Sequence, residues 1–180
     1  MRSPREGSIV RLNAGEGMFP LLYIDDNQND RFLVGEAISL TKTPLAFYEA
    51  ADIDSAIPFF QFQKHGREAK GFPCPALVLL DYDLGRQTGA DFLYWLRVMK
   101  KMVSIPVVMF SGSVGQRNVA ECYEQGANYF LRKARDLTCL KRVVRSLHFS
   151  IQYKIPGPIL RLPEYVPDPR ATGAILAKVS

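Results

Sequence analysis

The sequence predicts an α/β protein of three layers, with a parallel five-stranded sheet between two layers of helices. Three observations predict it. Strand-like and helix-like segments alternate five times, and parallel strands need long crossover connections, which helices supply. The strand segments are apolar throughout rather than alternating, as burial on both faces requires. The first, third, fourth and fifth strands also run into polar residues able to do chemistry: Asp25-Asp26, Asp81, Ser111 and Lys133. Ligands of open α/β sheets bind outside the carboxyl ends of the strands.

The first strand is Leu21–Ile24, a short apolar run stopped by Asp25-Asp26-Asn27. Leu33, Val34, Ala37, Ile38 and Leu40 then recur at helical spacing, and Pro44 bounds that helix. Leu45–Ala50 reads as the second strand and Asp52–Lys64 as the second helix. Pro58 fits a first turn but costs about 3 kcal/mol inside a helix, so this helix is expected to start late or kink. After a polar Gly/Pro loop over Gly66–Pro75, the most apolar strand, Ala76–Leu80, ends at Asp81. Thr88 and Asp91 form a capping-box pattern ahead of a stripe at Phe92, Leu93, Leu96 and Met99. Ile105–Phe110 is the fourth strand. Ser113 and Gln116 repeat the capping-box logic for a helix closed by Gly126. Asn128–Leu131 is the fifth strand, and Asp136 caps a last helix with its stripe at Leu137, Leu140, Val144, Leu147 and Ile151.

The chain of 180 residues suits one domain. Residues 1–18 read as a flexible leader, 19–153 as the folded domain and 154–180 as a proline-rich C-terminal tail. Around the start of that tail Tyr153, Ile155, Ile159 and Leu160 either pack back on the domain or meet a partner. No segment has the roughly 20 apolar residues of a membrane span, and no apolar signal segment opens the chain, so a cytoplasmic protein without membrane contact is expected. Cys74, Cys122 and Cys139 form no CxxC pair, which argues against disulfides and zinc and for buried, inert thiols. A net charge of +5 permits acidic partners without indicating nucleic acid. Arg132, Arg135, Lys141, Arg142 and Arg145 read as a solvated helix face or a docking surface, and no DNA-recognition motif accompanies them.

The carboxylates carry the chemistry. Two of them about 4 Å apart repel by roughly 4 kcal/mol at an effective dielectric near 20, so a gathered set needs a cation, and hard oxygens suit Mg²⁺. Lys133 adds a compensating charge that can reach a phosphoryl oxygen. Phosphoryl transfer asks for a nucleophile, a metal and donors to the equatorial oxygens. Asp81 can be the nucleophile, Asp25 and Asp26 the metal holders, and Ser111 and Lys133 the donors, with Gly112 leaving room beside Ser111.

In these residues the sequence resembles the response-regulator receiver (CheY-like) family, from about Leu21 to Ile151. The carriers are Asp25-Asp26-Asn27, Asp81-Tyr82-Asp83-Leu84 with Gly89, Ile105-Pro106-Val107-Val108 followed by Ser111-Gly112, and Gly126-Ala127 before Lys133. The resemblance implies a flavodoxin-like fold with strand order 2-1-3-4-5. It implies Asp81 as phosphoacceptor, usually from a sensor histidine kinase or a phosphotransfer protein. Asp25, Asp26, Asp81 and the backbone carbonyl of Asp83 would hold Mg²⁺, Ser111 would move toward the phosphoryl group, and Phe130 would be the aromatic switch that follows. Phe130 can equally be plain core. The loop before the third strand and the extended tail further resemble single-domain regulators associated with bacterial phytochromes. That match implies signalling by contact with a downstream protein, with a homodimer through the last helix as one arrangement, and no attached output domain.

Three positions depart from the family pattern. Ala134 follows Lys133 where a cis proline is usual, and a cis bond before alanine costs about 2.5–4 kcal/mol, so a trans peptide with a shifted or weakened Lys133 is expected. Gly85 replaces a common proline and is expected to loosen its loop. Asp83 adds a carboxylate beside the site. Two rivals follow. A pseudo-receiver would keep the fold without phosphorylation. A haloacid-dehalogenase-type phosphatase would use Asp81 with Asp83 as acid/base, although such enzymes place their acidic metal pair after the lysine, and here the pair precedes the nucleophile.

Overall fold

A computed structural model describes residues 11–12, 17–61, 72–100, 102–112, 115–134, 136–154 and 157–170. Strand β1 is Arg11–Leu12, β2 Phe19–Ile24, helix α1 Gln28–Thr41, β3 Leu45–Ala50 and α2 Ile53–Ala56. Then come β4 Leu77–Leu80, β5 Asp83–Leu84, β6 Gln87–Thr88, α3 Gly89–Tyr94, β7 Val107–Ser111 and α4 Gln116–Glu124. Strand β8 Tyr129–Arg132, α5 Leu137–Tyr153, α6 Gly157–Leu160 and β9 Tyr165–Val166 complete the chain. The central strands are parallel in the order β3-β2-β4-β7-β8, the 2-1-3-4-5 order of a flavodoxin-like sheet.

The pleat divides the core in two. Leu22, Ile24, Val78, Leu80, Met109 and Phe130 pack with α3 and α4, through Phe92, Leu93 and Val119. Their strand neighbours Leu21, Tyr23, Leu77, Leu79, Val108, Phe110 and Leu131 pack with α1 and α5, through Val34, Ile38, Leu140 and Val144. Alternate residues of each strand point to opposite faces, so apolar residues at every position fill both layers.

Most helix ends follow local chemistry. The Thr88–Asp91 capping box opens α3, Asp136 caps α5 through the N–H of Cys139, and Asn27 caps α1. After α4, Gly126 takes φ +100°, and the N–H groups of Gly126 and Ala127 reach back to Tyr123 and Cys122 carbonyls, a Schellman closure. The structure gives α4 Gly115 as its N-cap and Gln116 as its first helical position, where the expected capping box needs Gln116 at the third. Ser113 itself lies outside the described residues.

Other differences have physical causes. Pro58 changes the second helix after one turn, from α at Ile53–Ala56 to 3-10 at Ile57–Phe60, where it sits in the first turn and needs no N–H. The continuation toward Lys64 lies outside the described residues. The α3 helix widens to a π turn over Trp95–Met99, with the Lys100 N–H on the Trp95 carbonyl at 3.0 Å. The wider turn rotates the apolar stripe, and Met99 is 66% exposed rather than buried. On α1, Leu33 and Leu40 are exposed while Val34, Ala37 and Ile38 face the core.

Both ends of the described chain add to the sheet. In the stretch read as a leader, Arg11–Leu12 pairs antiparallel with the outer edge of β3. In the stretch read as a tail, Ile159 is fully buried and β9 pairs antiparallel with β8. Exposed sheet edges invite pairing, and these short strands occupy both. Of the three thiols expected to be buried, Cys122 is, and burial pushes it up to about 12, which fits an inert core thiol, whereas Cys74 and Cys139 are half-buried. Among the described residues, no helix is long and apolar enough to cross a membrane.

Gly85 answers to the geometry of its turn. It takes φ +76° at the first turn position of the β5–β6 hairpin, with Arg86 at ordinary negative φ, as in a type II′ turn. Proline cannot adopt that φ. Gly89, at the start of α3, is needed for close approach: a Cβ there would collide with the Asp81 carbonyl oxygen and lie 2.8 Å from Met109 Cε. Gly89→Ala should therefore lower unfolding stability by about 1–3 kcal/mol, read from urea denaturation, and an unchanged midpoint would contradict the close packing.

Candidate functional site

Four elements deliver the polar residues to one rim of the sheet. Asp25 follows β2, Asp81 follows β4, Ser111 ends β7 and Lys133 follows β8. The pleat sorts them. Asp25, Asp81 and Lys133 continue the parity of Tyr23, Leu79 and Leu131, whose face packs on α1 and α5. Ser111 continues the parity of Met109 and shares the other face with Phe130.

Lys133 Nζ is the centre of the first group. It lies 2.7 Å from Asp25 Oδ2, 2.8 Å from Asp81 Oδ2 and 2.7 Å from Asp30 Oδ2. Asp25 is fully buried. Its Oδ2 also accepts a hydrogen bond from the Tyr23 hydroxyl, and its Oδ1 accepts the Asn27 N–H at 2.8 Å. Asp81 is buried too, with Oδ1 accepting the N–H of Tyr82 at 2.7 Å. Arg31 donates from Nη1 to the Asp25 carbonyl at 2.6 Å and pairs with Glu49 of β3 at 3.5 Å, which pins the start of α1 to the rim.

Burial pushes the Asp25 carboxyl above its ordinary pKa, against the hydrogen bonds from Lys133 and Tyr23. Burial would lower Lys133, but its bonds to Asp25, Asp30 and Asp81 outweigh it, and the ammonium stands above the ordinary lysine value. Tyr23 is pushed well up by burial and then by the Asp25 charge, so its hydroxyl keeps its proton and donates it to Asp25.

One carboxylate oxygen from each of Asp25, Asp26 and Asp81 lies within 4.8 Å of the others. Oxygens at 2.0–2.6 Å from a hard divalent cation lie no more than about 5 Å apart, so this donor set fits such an ion. Asp26 is exposed and is the most accessible of the three. The Asp83 carboxylate is not among them; it is exposed, and its Oδ1 accepts the Gly85 N–H at 3.2 Å. The Lys133–Ala134 peptide is trans. Contrary to the expected shift, Lys133 keeps its hold on Asp25 and Asp81.

Ser111 and Phe130 are buried, and both line a cavity of about 220 Å³ with Gln116 and Val119 of α4, Arg132, and Val166, Pro167 and Pro169 near β9. The basic stretch is exposed at Arg132, Arg142 and Arg145, while Arg135 lies outside the described residues.

Sequence reasoning passed over Tyr23, Asp30 and Arg31. Tyr23 was open to it, because period two places residues 23 and 25 on one side of a strand. Asp30 and Arg31 carry a weaker signal, since any first helical turn is rich in charge.

A family model for the response regulator receiver domain matches residues 21–145. The chain is 28% identical to the response regulator Rcp1 of Synechocystis over 127 residues, covering 71% of this chain and 84% of Rcp1. The crystal structure of the Mn(2+)-bound form of Rcp1 matches with a TM-score of 0.60 at 27% identity, over 72% of this chain and 91% of that one. The phosphorylated cyanobacterial phytochrome response regulator RcpA matches in fold with a TM-score of 0.65 at 21% identity, over 77% of this chain and 96% of that one. With the matched strands, helices and acidic rim all in place, the chain belongs to the response regulator receiver domain family.

Proposed function

We propose that this receiver takes a phosphoryl group on Asp81 from a sensor histidine kinase or a phosphotransfer protein, with Mg²⁺, and passes the signal by contact with a downstream protein. The observation that carries the reading is the position of Lys133, bonded to Asp81 Oδ2 at 2.8 Å beside the three-carboxylate group. A buried nucleophile next to an ammonium and a cation site is what phosphoryl transfer requires.

Asp26 and Asp81, with the Asp83 carbonyl, would hold the ion. Asp25 has less to offer: Oδ2 already receives Tyr23 and Lys133, and Oδ1 receives Asn27, so one lone pair remains. When bound, Mg²⁺ supplies positive charge against the phosphoryl oxygens. An Asp81 oxygen attacks phosphorus, the bond from phosphorus to the donor breaks, and the leaving group keeps its electron pair. Lys133 then donates to a phosphoryl oxygen in place of the free carboxylate. Ser111 supplies a hydroxyl to another oxygen, and Phe130 turns within the cavity that both residues border.

Incubation with acetyl phosphate and Mg²⁺ should give a stoichiometric mass increase of one phosphoryl group, lost in Asp81→Asn. No adduct under any condition would favour a pseudo-receiver. Asp26→Ala removes a carboxylate ligand and should weaken Mg²⁺ binding by about tenfold or more, since each 1.4 kcal/mol is a factor of ten. A fluorescence titration with unchanged affinity would overturn the placement of the ion.

A further inference from the structure

Lys133 is held by one carboxylate more than the proposed chemistry needs. Its ammonium has three N–H donors, and three acceptors surround it: Asp25 Oδ2 at 2.7 Å, Asp81 Oδ2 at 2.8 Å and Asp30 Oδ2 at 2.7 Å. Asp25 and Asp81 also belong to the carboxylate group that fits a cation. Asp30 does not. It stands on α1, three residues past the Asn27 cap, where the helix N-terminus favours a negative charge. Its side chain is 31% exposed, against 0% for Asp25 and 7% for Asp81, so of the three carboxylates on Lys133 it is the one that solvent reaches most.

We propose that Asp30 is a positioning residue that restrains Lys133 and slows phosphoryl uptake by Asp81. The inference rests on Asp81 being the phosphoacceptor. A phosphoryl oxygen arriving at Asp81 must draw the Lys133 ammonium toward it, and the Asp30 contact at 2.7 Å holds the ammonium where it stands. The Asp30 carboxylate also presents a negative charge to an anionic donor, and charges of like sign in a cleft lower the rate of encounter. Asp30 touches neither the nucleophile nor the cation group; it acts through Lys133.

With acetyl phosphate as donor, the phosphorus–oxygen bond to acetate breaks, a bond from phosphorus to an Asp81 carboxylate oxygen forms, and acetate leaves with the electron pair. The test compares this uptake in the full chain carrying Asp30→Asn, Asp30→Glu or no change, followed by intact mass in the presence of Mg²⁺. Asp30→Asn should react roughly two- to fivefold faster at low salt, the size of one partly exposed charge interaction. The excess should shrink in about 1 M salt, where the screening length is near 3 Å, and Asp30→Glu should restore the slower rate. Beryllium fluoride, a phosphoryl mimic, should bind Asp30→Asn more tightly than the unchanged chain. Uptake in Asp30→Asn that is equal or slower, or an excess indifferent to salt, overturns the inference while leaving Asp81 as acceptor. No adduct on any of the three proteins overturns both.

Discussion

The structure depends on one electrostatic constraint: a buried ammonium, Lys133, must compensate carboxylates that the sheet gathers at its rim. An isolated charge in a protein interior costs several kcal/mol in lost hydration. Asp25 is fully buried and Asp81 nearly so, which makes a shared counter-ion a condition of folding as well as of chemistry. Lys133 provides it with three short contacts. Yet one ammonium among Asp25, Asp26, Asp30 and Asp81 leaves surplus negative charge. Attraction for a further cation is therefore built into the fold.

The pleat of the sheet turns that constraint into an arrangement. Since side chains alternate, the charges after β2, β4 and β8 share one parity, while Ser111 and Phe130 share the other. Charge compensation is thus kept toward α1 and α5, and the pair bordering the cavity is kept toward α3 and α4. Gly89 joins the two sides, because only a residue without Cβ lets α3 start against the Asp81 carbonyl.

Much of this was legible in the sequence. Five apolar runs alternating with helical segments predicted the parallel sheet, and the polar residues that end four of them, Asp25-Asp26, Asp81, Ser111 and Lys133, predicted one shared rim. What escaped were features decided by tertiary context. The π turn after α3 and the exposure of Met99 arise where Arg97 reaches across to the Gly126 carbonyl at 3.0 Å and the Met102 carbonyl at 2.5 Å. Proline content suggested an extended tail, but proline says nothing against a two-residue edge strand such as Tyr165–Val166. Asp30 escaped because its partner lies 103 residues away, and no local pattern encodes such a distance.

The ends of the sheet also bear on how a receiver of this form can change shape. Strand β8 is paired on both sides, with β7 and with β9, and Phe130 faces Met109 on one side and Val166 on the other. Tyr123 of α4 ties the same point, accepting the Phe130 N–H at 3.1 Å and donating to the Val166 carbonyl at 2.6 Å. A backbone held by two ladders and a half-buried hydroxyl resists displacement, because each freed group would lose its partner. Side chains are not bound in this way. On the proposed function, the motion of Phe130 and Ser111 would therefore be a rotation into the cavity they border, with the strand left in place.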